Sequence, residues 1–397
     1  MTSLVHPLVL PLSSLSAIIW PDELRQFERQ TQGNFVGVGI QIQLDEQRNI
    51  RIVSPIEGTP AFRAGIKPND LIKFVDGVST SGLSLSQAVD IITGPAKTEV
   101  VLGVERLVAN DAGDEITAVV DVPIVRDRIS VPTVQGWRRL DAEGTWDHMV
   151  DRDRGIGYVR LTQFTDSTTR DFDRAVREMR RQGLNGLILD LRFNPGGLLT
   201  QAVSISDRFV RRGLPIVSTE NGFGRTQKVE NSRSRPTVND IPVVVLINEG
   251  AASASEIVSG AIQDHAENGA VQAVLLGRRS FGKGSVQRVS MLPGGQAALK
   301  LTSEYYVLPK GRHIHRKPGE VQWGVDPNFE VEMLPSQVAD ALVLRRDADA
   351  LIDENNPDPA NPDELLTSGV DLQLNAALVL LQARTTPKTL ARTTRND

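Results

Sequence analysis

Cysteine is absent from this 397-residue chain, and histidine, tryptophan and tyrosine are scarce, with five, four and three copies. The absence of cysteine excludes a disulfide scaffold, a thiol nucleophile and thiolate-bound metal. His313 and His315 are spaced to share one face of a strand, which is only a weak metal signal. An exposed polar loop explains the same pair equally simply. We therefore predict no metal and no other cofactor.

Long apolar runs are also missing. No segment reaches the roughly 18 apolar residues of a membrane-spanning helix, and the start of the chain lacks a clear secretion signal. We interpret residues 1–34 as a lead-in segment, partly disordered or left by a truncated start. The formal net charge is −5, whereas a nucleic-acid partner would call for a basic face. The sequence therefore predicts neither a spanning segment nor a nucleic-acid partner.

The most informative stretch begins with the apolar, β-branched residues 241–247. Such a run ending in a glycine-containing turn predicts a buried strand. Ile257 and Ala261 then repeat at helical spacing, so Ser253 falls in a tight strand-to-helix turn near the positive end of a helix dipole. That geometry exposes a hydroxyl beside backbone N–H groups. The alternative is a small-residue helix start that serves only close packing.

A lysine between two glycines, Lys283, follows about thirty residues later. Flanking glycines allow it to approach another backbone closely. A serine hydroxyl and a desolvated amine are the minimum for a Ser-Lys hydrolase. Because a lysine that acts as a base must be uncharged, this role predicts burial of its side chain. An exposed hairpin lysine is the alternative, and the order of the two motifs favours catalysis.

A second strand-to-helix turn contains Gly196 and Gly197, after the buried run 184–192. Free backbone amides at such a turn bind anions. A phosphate loop would need more glycines and a lysine directly after them. The remaining functional interpretation is an oxyanion hole shared with Ala254, and a purely structural helix start stays open. Repeated alternation of strands and helices predicts an α/β core with parallel strands.

Residues 35–108 have a different pattern, with an alternating strand from Gly39, a hairpin turn at Asp76 and Gly77, and a helix over residues 85–92. They resemble a PDZ domain of the circularly permuted kind found in bacterial proteases. Such a domain binds an extended C-terminal peptide and holds its carboxylate on backbone N–H groups. The resemblance assigns that role to Gly37, Val38, Gly39 and Ile40. The alternative is that these glycines only permit tight packing.

From residue 35 to about residue 334, the chain resembles the carboxyl-terminal processing proteases, also called tail-specific proteases. The motifs that carry the resemblance, besides the PDZ features, are Gly157-Tyr158-Val159, Asp190-Leu191-Arg192, Asn194-Pro195-Gly196-Gly197, Ser253-Ala254-Ser255-Glu256 and Phe281-Gly282-Lys283-Gly284. The resemblance implies an α/β multidomain fold, with a crotonase-like (Clp protease-like) core and an inserted PDZ domain. It also implies an extracytoplasmic location, in the periplasm or cell envelope.

The same resemblance gives each site residue a role. Ser253 matches the nucleophile, Lys283 the general base, and Gln287 the residue that orients the lysine. The backbone N–H groups of Gly197 and Ala254 match the oxyanion hole.

Two features depart from the family pattern. The loop over residues 264–279 is longer than usual, and Thr93 stands where the family often has arginine. The first departure concerns the geometry at Lys283. The second concerns any coupling of the PDZ domain to the protease.

We predict four regions: an N-terminal segment (1–34), a PDZ domain (35–108), a serine protease core (109–345) and a C-terminal linker, helix and tail (346–397). The amphipathic helix over residues 371–384 either packs on its own core or forms a homodimer contact. The predicted activity is a serine endopeptidase that binds free, apolar C-termini of protein substrates and cleaves near them. The alternatives are a catalytically silent PDZ scaffold and a crotonase-type acyl-enzyme. The set of Ser253, Lys283 and Gln287 argues against the last.

Overall fold

A computed structural model describes residues 17–20, 34–45, 47–56, 58–109, 115–130, 132–141, 144–295, 297–350, 359–367 and 369–385. The chain divides into two compact units. The small unit comprises residues 26–132 and 141–144, and the large unit comprises the rest.

The strands of the described residues are β1 (Ala17–Ile19), β2 (Asn34–Gly37), β3 (Ile40–Leu44), β4 (Ile50–Pro55), β5 (Leu71–Val75), β6 (Val78–Ser79), β7 (Glu99–Ala109), β8 (Glu115–Val125), β9 (Asp127–Ser130), β10 (Val134–Gln135), β11 (Arg138–Arg139), β12 (Trp146–Asp147), β13 (Met149–Asp151), β14 (Ile156–Leu161), β15 (Gly186–Asp190), β16 (Pro215–Asn221), β17 (Thr226–Asn231), β18 (Val243–Ile247), β19 (Ala273–Gly277), β20 (Ser285–Met291), β21 (Ala298–Val307) and β22 (Phe329–Glu330). Their helices are α1 (Pro60–Arg63), α2 (Leu85–Ile92), α3 (Thr168–Arg181), α4 (Leu199–Ser206), α5 (Ala254–Glu267), α6 (Pro335–Asp349), α7 (Glu364–Thr367) and α8 (Leu372–Arg384).

The small unit is built on an antiparallel sheet with strand order β3-β4-β5-β7-β8 and a separate β2-β9 pair. The predicted hairpin turn between β5 and β6 is present, because Asp76 and Gly77 both have positive φ angles. Ser84 caps the start of helix α2 and forms a capping box with Gln87. The unit extends beyond the predicted PDZ boundary at residue 108, since β8 pairs with β7 along its whole length.

The large unit is organised around a sheet with strand order β10-β14-β15-β18-β19-β22. From β14 to β22 all neighbours are parallel. Helices cover both faces, so every residue of β15 and β18 is buried. Burial on both faces explains why these two strands are continuous apolar runs in the sequence. The carboxyl ends of β15 and β18 lead into the two predicted active-site turns. The predicted α/β multidomain fold class is confirmed.

The two faces of this sheet have separate cores. Alternate strand residues such as Leu189 and Val245 pack with α3, α4 and α5. Residues on the opposite face, such as Ile188 and Leu246, pack against the buried side chains of α8. Of the two roles left open for that helix, packing on its own core is therefore present. The homodimer contact stays a prediction.

Some elements differ from the sequence-based expectations. Strand β1 pairs with β21, although it lies in the segment interpreted as a lead-in. The charge-rich sequence of residues 134–153 predicts an irregular segment, whereas the structure has the short strands β10 to β13 there. The sequence also predicts a short helix over residues 22–32 and a disordered tail after residue 385, and both segments lie outside the described residues. Within the described ranges, no helix combines the length and apolar character needed to span a lipid bilayer.

Candidate active site

Ser253 lies in the turn between β18 and α5, where the sequence placed it. Its backbone has φ 54° and ψ −111°, a conformation that non-glycine residues rarely adopt. Such backbone strain costs of order 1–3 kcal/mol and is concentrated at functional sites. The preceding Ala252 N–H donates to the Asn194 carbonyl oxygen over 3.0 Å. The strained turn is thus fixed to the neighbouring loop and leaves the serine side chain half-buried.

A fully buried carboxylate, Glu256, organises the site. Its Oε2 accepts the Ser253 N–H over 2.7 Å and the Lys283 N–H over 2.8 Å. Its Oε1 accepts the Ser280 hydroxyl over 2.6 Å and the Gly282 N–H over 2.7 Å. Because one oxygen binds both backbone nitrogens, those of Ser253 and Lys283 lie within about 5.5 Å of each other. The serine turn and the glycine-lysine-glycine loop are therefore held together by a single side chain.

The ionisation of Glu256 is decided by two opposing effects. Burial raises the pKa of its carboxyl above the ordinary value. The four donors stabilise the ionised form. A carboxylate that accepts four hydrogen bonds can only keep all of them while it is deprotonated.

The glycines that flank Lys283 are required by close contacts. Gly282 has φ 91°. A Cβ atom at Gly284 would lie 2.4 Å from the backbone nitrogen of His315. The sequence-based expectation of close backbone approach is therefore met. The lysine side chain itself is exposed, which differs from the burial expected for a base, because the glycines and Glu256 fix its backbone and leave its side chain at the surface.

Gln287 lies in β20, opposite Thr302 of β21 and next to a shift in the strand register. Its side chain is half-buried. Across the described part of the chain, the structure has no hydrogen bond that joins the Lys283 ammonium to Ser253 or to Gln287. The structure thus brings the backbones of Ser253 and Lys283 together without bringing the three side chains into hydrogen-bond contact.

The glycine pair lies directly against the serine turn. A Cβ atom at Gly196 would be 2.8 Å from Ser253 Cβ. One at Gly197, which has φ 143°, would be 2.1 Å from the Phe164 carbonyl oxygen, so this position tolerates only glycine. Among the described residues, the N–H groups of Gly197 and Ala254 have no hydrogen-bond acceptor. Two free amides therefore lie in the two turns that meet at the serine.

Two asparagines position these turns, and the sequence analysis gave neither of them a role. Asn194 accepts the Gly196 N–H over 2.9 Å and donates to the Leu161 carbonyl oxygen over 2.7 Å. Asn248 Oδ1 accepts the N–H groups of Phe193 and Gly250 over 2.9 and 3.1 Å. The role of Glu256 was missed as well. The Ser-x-x-Glu spacing of a capping box was the available signal for it.

Two further serines, which lie in α5 just after the turn, are not placed to act as nucleophiles. Ser255 is fully buried, and its hydroxyl donates to the Asn194 carbonyl oxygen over 2.9 Å. Ser259 is also buried and donates to the Ser255 carbonyl oxygen over 2.8 Å. Of the three, only Ser253 has an accessible side chain.

The predicted carboxylate loop of the small unit joins β2 to β3. Gly39 has φ 84°, and a Cβ atom there would lie 2.3 Å from Thr59 Cβ. The carbonyl oxygen of Val38 accepts the Ala61 N–H over 2.8 Å, and that of Gly39 accepts the Ile56 N–H over 2.8 Å. Within the described ranges, the N–H groups of Val38 and Gly39 have no acceptor. The loop is therefore fixed through its carbonyls while two amides remain free.

The two histidines of the weak metal signal have separate partners. His313 Nε2 lies 3.6 Å from Glu220 Oε2. The His315 ring packs against Tyr305 with 5.0 Å between ring centroids, and burial lowers the pKa of His315. In the part of the chain that the structure describes, no three histidine or carboxylate side chains are grouped as metal ligands.

We expect Glu256→Gln to reduce kcat/KM by about 10²-fold, because misplacing catalytic groups by about 1 Å has costs of that size. The amide nitrogen that replaces one oxygen would face N–H donors and leave them unsatisfied. Each buried donor left unpaired costs about 1–3 kcal/mol, so the thermal midpoint should fall as well. Kinetics of the predicted peptidase activity and calorimetry would measure both effects.

Glu249→Gln is the matched control, since Glu249 is exposed on the same turn. Glu249→Gln should change neither kcat/KM nor the thermal midpoint. Because burial raises the pKa of Glu256, wild-type activity should fall on acidification above the range in which an exposed glutamate titrates. If Glu256→Gln kept wild-type kinetics, the organising role of this carboxylate would be wrong.

Residues 155–331 match the sequence profile of peptidase family S41, and residues 25–105 match that of the PDZ domain. A carboxy-terminal-processing protease from Bartonella bacilliformis is 36% identical over 83% of this chain and 68% of its own length. The carboxy-terminal processing protease CtpA from Bacillus subtilis is 32% identical over 79% of this chain and 59% of its own length. The chain thus spans less than two thirds of the Bacillus relative.

A solved structure titled photosystem II D1 C-terminal processing protease covers 85% of this chain and 82% of its own, with 27% identity and a TM-score of 0.45. The family assignment rests on the sequence matches, which extend over both units and include the serine turn and the glycine-lysine-glycine loop. The chain belongs to peptidase family S41, as a member of its carboxy-terminal processing proteases.

Proposed function

We propose that this chain is a serine endopeptidase with a Ser-Lys mechanism, which recognises the C-terminus of a protein substrate and cleaves near it. The observation that carries the proposal is the Glu256 carboxylate, whose Oε2 binds the backbone N–H groups of both Ser253 and Lys283. This contact places a strained serine turn next to a lysine-bearing loop. The pairing suits a nucleophile and its base.

In the proposed reaction, the neutral Lys283 amine takes the proton of the Ser253 hydroxyl while the oxygen attacks the scissile carbonyl. The free N–H groups of Gly197 and Ala254 stabilise the resulting oxyanion. The lysine then gives its proton to the leaving amine, and an acyl-enzyme remains on Ser253. Water, deprotonated by the same amine, attacks the acyl carbon, and the ammonium returns the proton to the Ser253 oxygen as its bond to the acyl group breaks. Gln287 orients the lysine as a neutral partner.

The exposed position of Lys283 requires one further step. An ammonium in water remains charged, and removal from water disfavours that charge. We therefore assign the desolvation of Lys283 to the bound substrate chain, which covers the loop when it reaches Ser253. Catalytic hydrogen bonds are often completed only in the substrate complex. In this arrangement the lysine becomes available as a base only when a substrate is in place.

Substrate C-termini are assigned to the small unit. The free N–H groups of Val38 and Gly39 suit a terminal carboxylate, with Gly37 and Ile40 completing the loop. Proteins with free, apolar C-termini are the expected substrates, and the family resemblance supports an extracytoplasmic location. Cell fractionation would test the location. The alternative of a silent PDZ scaffold predicts tail binding without cleavage.

Amidation of a substrate tail should weaken its binding by roughly 1.5 to 3 kcal/mol, the size of lost charge-assisted hydrogen bonds. The measurement is fluorescence anisotropy of labelled peptides with the full chain carrying Ser253→Ala, which prevents cleavage. Acetylation of the peptide N-terminus is the control and should have no effect. Equal affinity for the free-acid and amidated peptides would remove carboxylate capture from the proposal.

A further inference from the structure

An open cavity of about 500 Å³ lies between the last turns of α3 and residues 235–240. Four of its lining residues are arginines, namely Arg177, Arg180, Arg181 and Arg235. Asp240 is the one carboxylate among the lining residues. The formal charge of the lining is therefore +3.

Two of these arginines build the cavity, and two have no counter-charge. Arg180 joins the helix to the loop, since its Nη2 donates to the Thr237 carbonyl oxygen over 2.7 Å and pairs with Asp240. Arg181 Nη1 lies 2.7 Å from Glu178 Oε2. Within the described ranges, the guanidinium groups of Arg177 and Arg235 have no carboxylate and no hydrogen-bond partner, and both side chains are exposed. The cavity thus presents two unpaired guanidinium groups.

The segments around the cavity also carry a net positive charge. Residues 207–212 and 233–240 are tied to α3 and to each other, because Arg208 Nε lies 2.8 Å from Asp173 Oδ1 and its carbonyl oxygen accepts the Thr237 N–H over 2.9 Å. These two segments and α3 carry ten arginines, no lysine and five carboxylates, which is a net charge of +5. The rest of the chain has a net charge of −10. The net positive charge of these three segments therefore contrasts with the net negative charge of the rest of the chain.

Helix stability alone does not account for this arrangement. Cations in the last turn of a helix are favoured by its dipole, which explains Arg180 and Arg181. Arg177 lies one turn earlier, and Arg235 comes from a different segment. Neither of them gains from the helix terminus or from an ion pair.

We propose that this cavity is a binding site for a phosphate monoester group. Arginine forks match phosphate oxygens in geometry and bind them bidentately. A phosphate monoester carries about −1.5 to −2 charges at neutral pH, which matches the two unpaired guanidinium groups. The group belongs either to a lipid headgroup or to a soluble phosphate compound. The site is separate from the serine turn and does not depend on the proposed peptidase function.

The test uses the full chain and two probes at low ionic strength. Inorganic phosphate is titrated calorimetrically, and phosphatidylcholine vesicles with or without phosphatidic acid are used in co-sedimentation. Arg177→Gln/Arg235→Gln should weaken phosphate binding about tenfold or more. Arg346→Gln/Arg384→Gln removes the same charge from exposed arginines elsewhere in the large unit and should change the affinity less than twofold. Unchanged thermal midpoints would show that both variants are folded.

The two probes distinguish a lipid headgroup from a soluble phosphate compound as the ligand. The site is assigned to a lipid headgroup if the chain binds phosphatidic acid vesicles, if inorganic phosphate displaces this binding, and if Arg177→Gln/Arg235→Gln loses it. Binding of inorganic phosphate without vesicle binding assigns it to a soluble phosphate compound. The proposal is overturned if neither probe binds, if the two double variants behave alike, or if polyglutamate binds while phosphate does not.

Discussion

Ser253→Ala should abolish proteolysis and leave the fold intact. The hydroxyl is the accessible nucleophile of the strained turn, and loss of such a serine lowers kcat by as much as about 10⁶-fold in a serine protease. The backbone contacts that hold the turn, from the Ser253 N–H to Glu256 and from Ala252 to Asn194, do not involve the side chain. Turnover of an unfolded protein substrate and circular dichroism would measure the two parts of this expectation.

Ser255→Ala is the control for that result. Its hydroxyl is buried and donates to the Asn194 carbonyl oxygen, so its removal should cost about 1 kcal/mol of the free energy of unfolding. Activity should stay near that of the wild type. Full activity in Ser253→Ala, or a loss in Ser255→Ala as large as in Ser253→Ala, would contradict the assignment of the nucleophile.

Lys283→Ala and Lys283→Arg should both reduce kcat/KM by about 10²- to 10⁴-fold, the usual contribution of a general base. Alanine removes the base. Arginine retains the positive charge and the length but cannot be deprotonated in a protein, so charge alone would not restore activity. Peptidase kinetics of both variants would measure the effect.

The exposure of Lys283 makes the arginine variant the more decisive one. An exposed lysine with no catalytic role accepts arginine without loss. Lys310→Arg is the control, because Lys310 also lies on the large unit and pairs with Glu267 at the surface. Wild-type activity in Lys283→Arg would show that this lysine is not the base.

The serine turn could be predicted from the sequence because its signals are local. The apolar run of β18, the turn and the helical spacing of α5 follow one another within about twenty residues. The glycines beside Lys283 likewise indicated a close approach that the structure contains. Local patterns were also sufficient for α2, whose bounds match the prediction.

Features that depend on distant parts of the chain could not be predicted in this way. Three of the four partners of Glu256 come from 24 to 27 positions further along the sequence, and spacing alone does not bring Ser280 and Lys283 to it. The exposure of Lys283 depends on the path of a loop through tertiary contacts.

The central claim is that Ser253 cleaves proteins near a recognised C-terminus. It is tested most directly by intact mass spectrometry after incubation of the wild type or Ser253→Ala with an unfolded protein that carries an apolar tail. The account predicts a shortened substrate and a released C-terminal fragment with the wild type, and an unchanged mass with Ser253→Ala. An uncleaved substrate with the wild type, or the same fragments with Ser253→Ala, would contradict it.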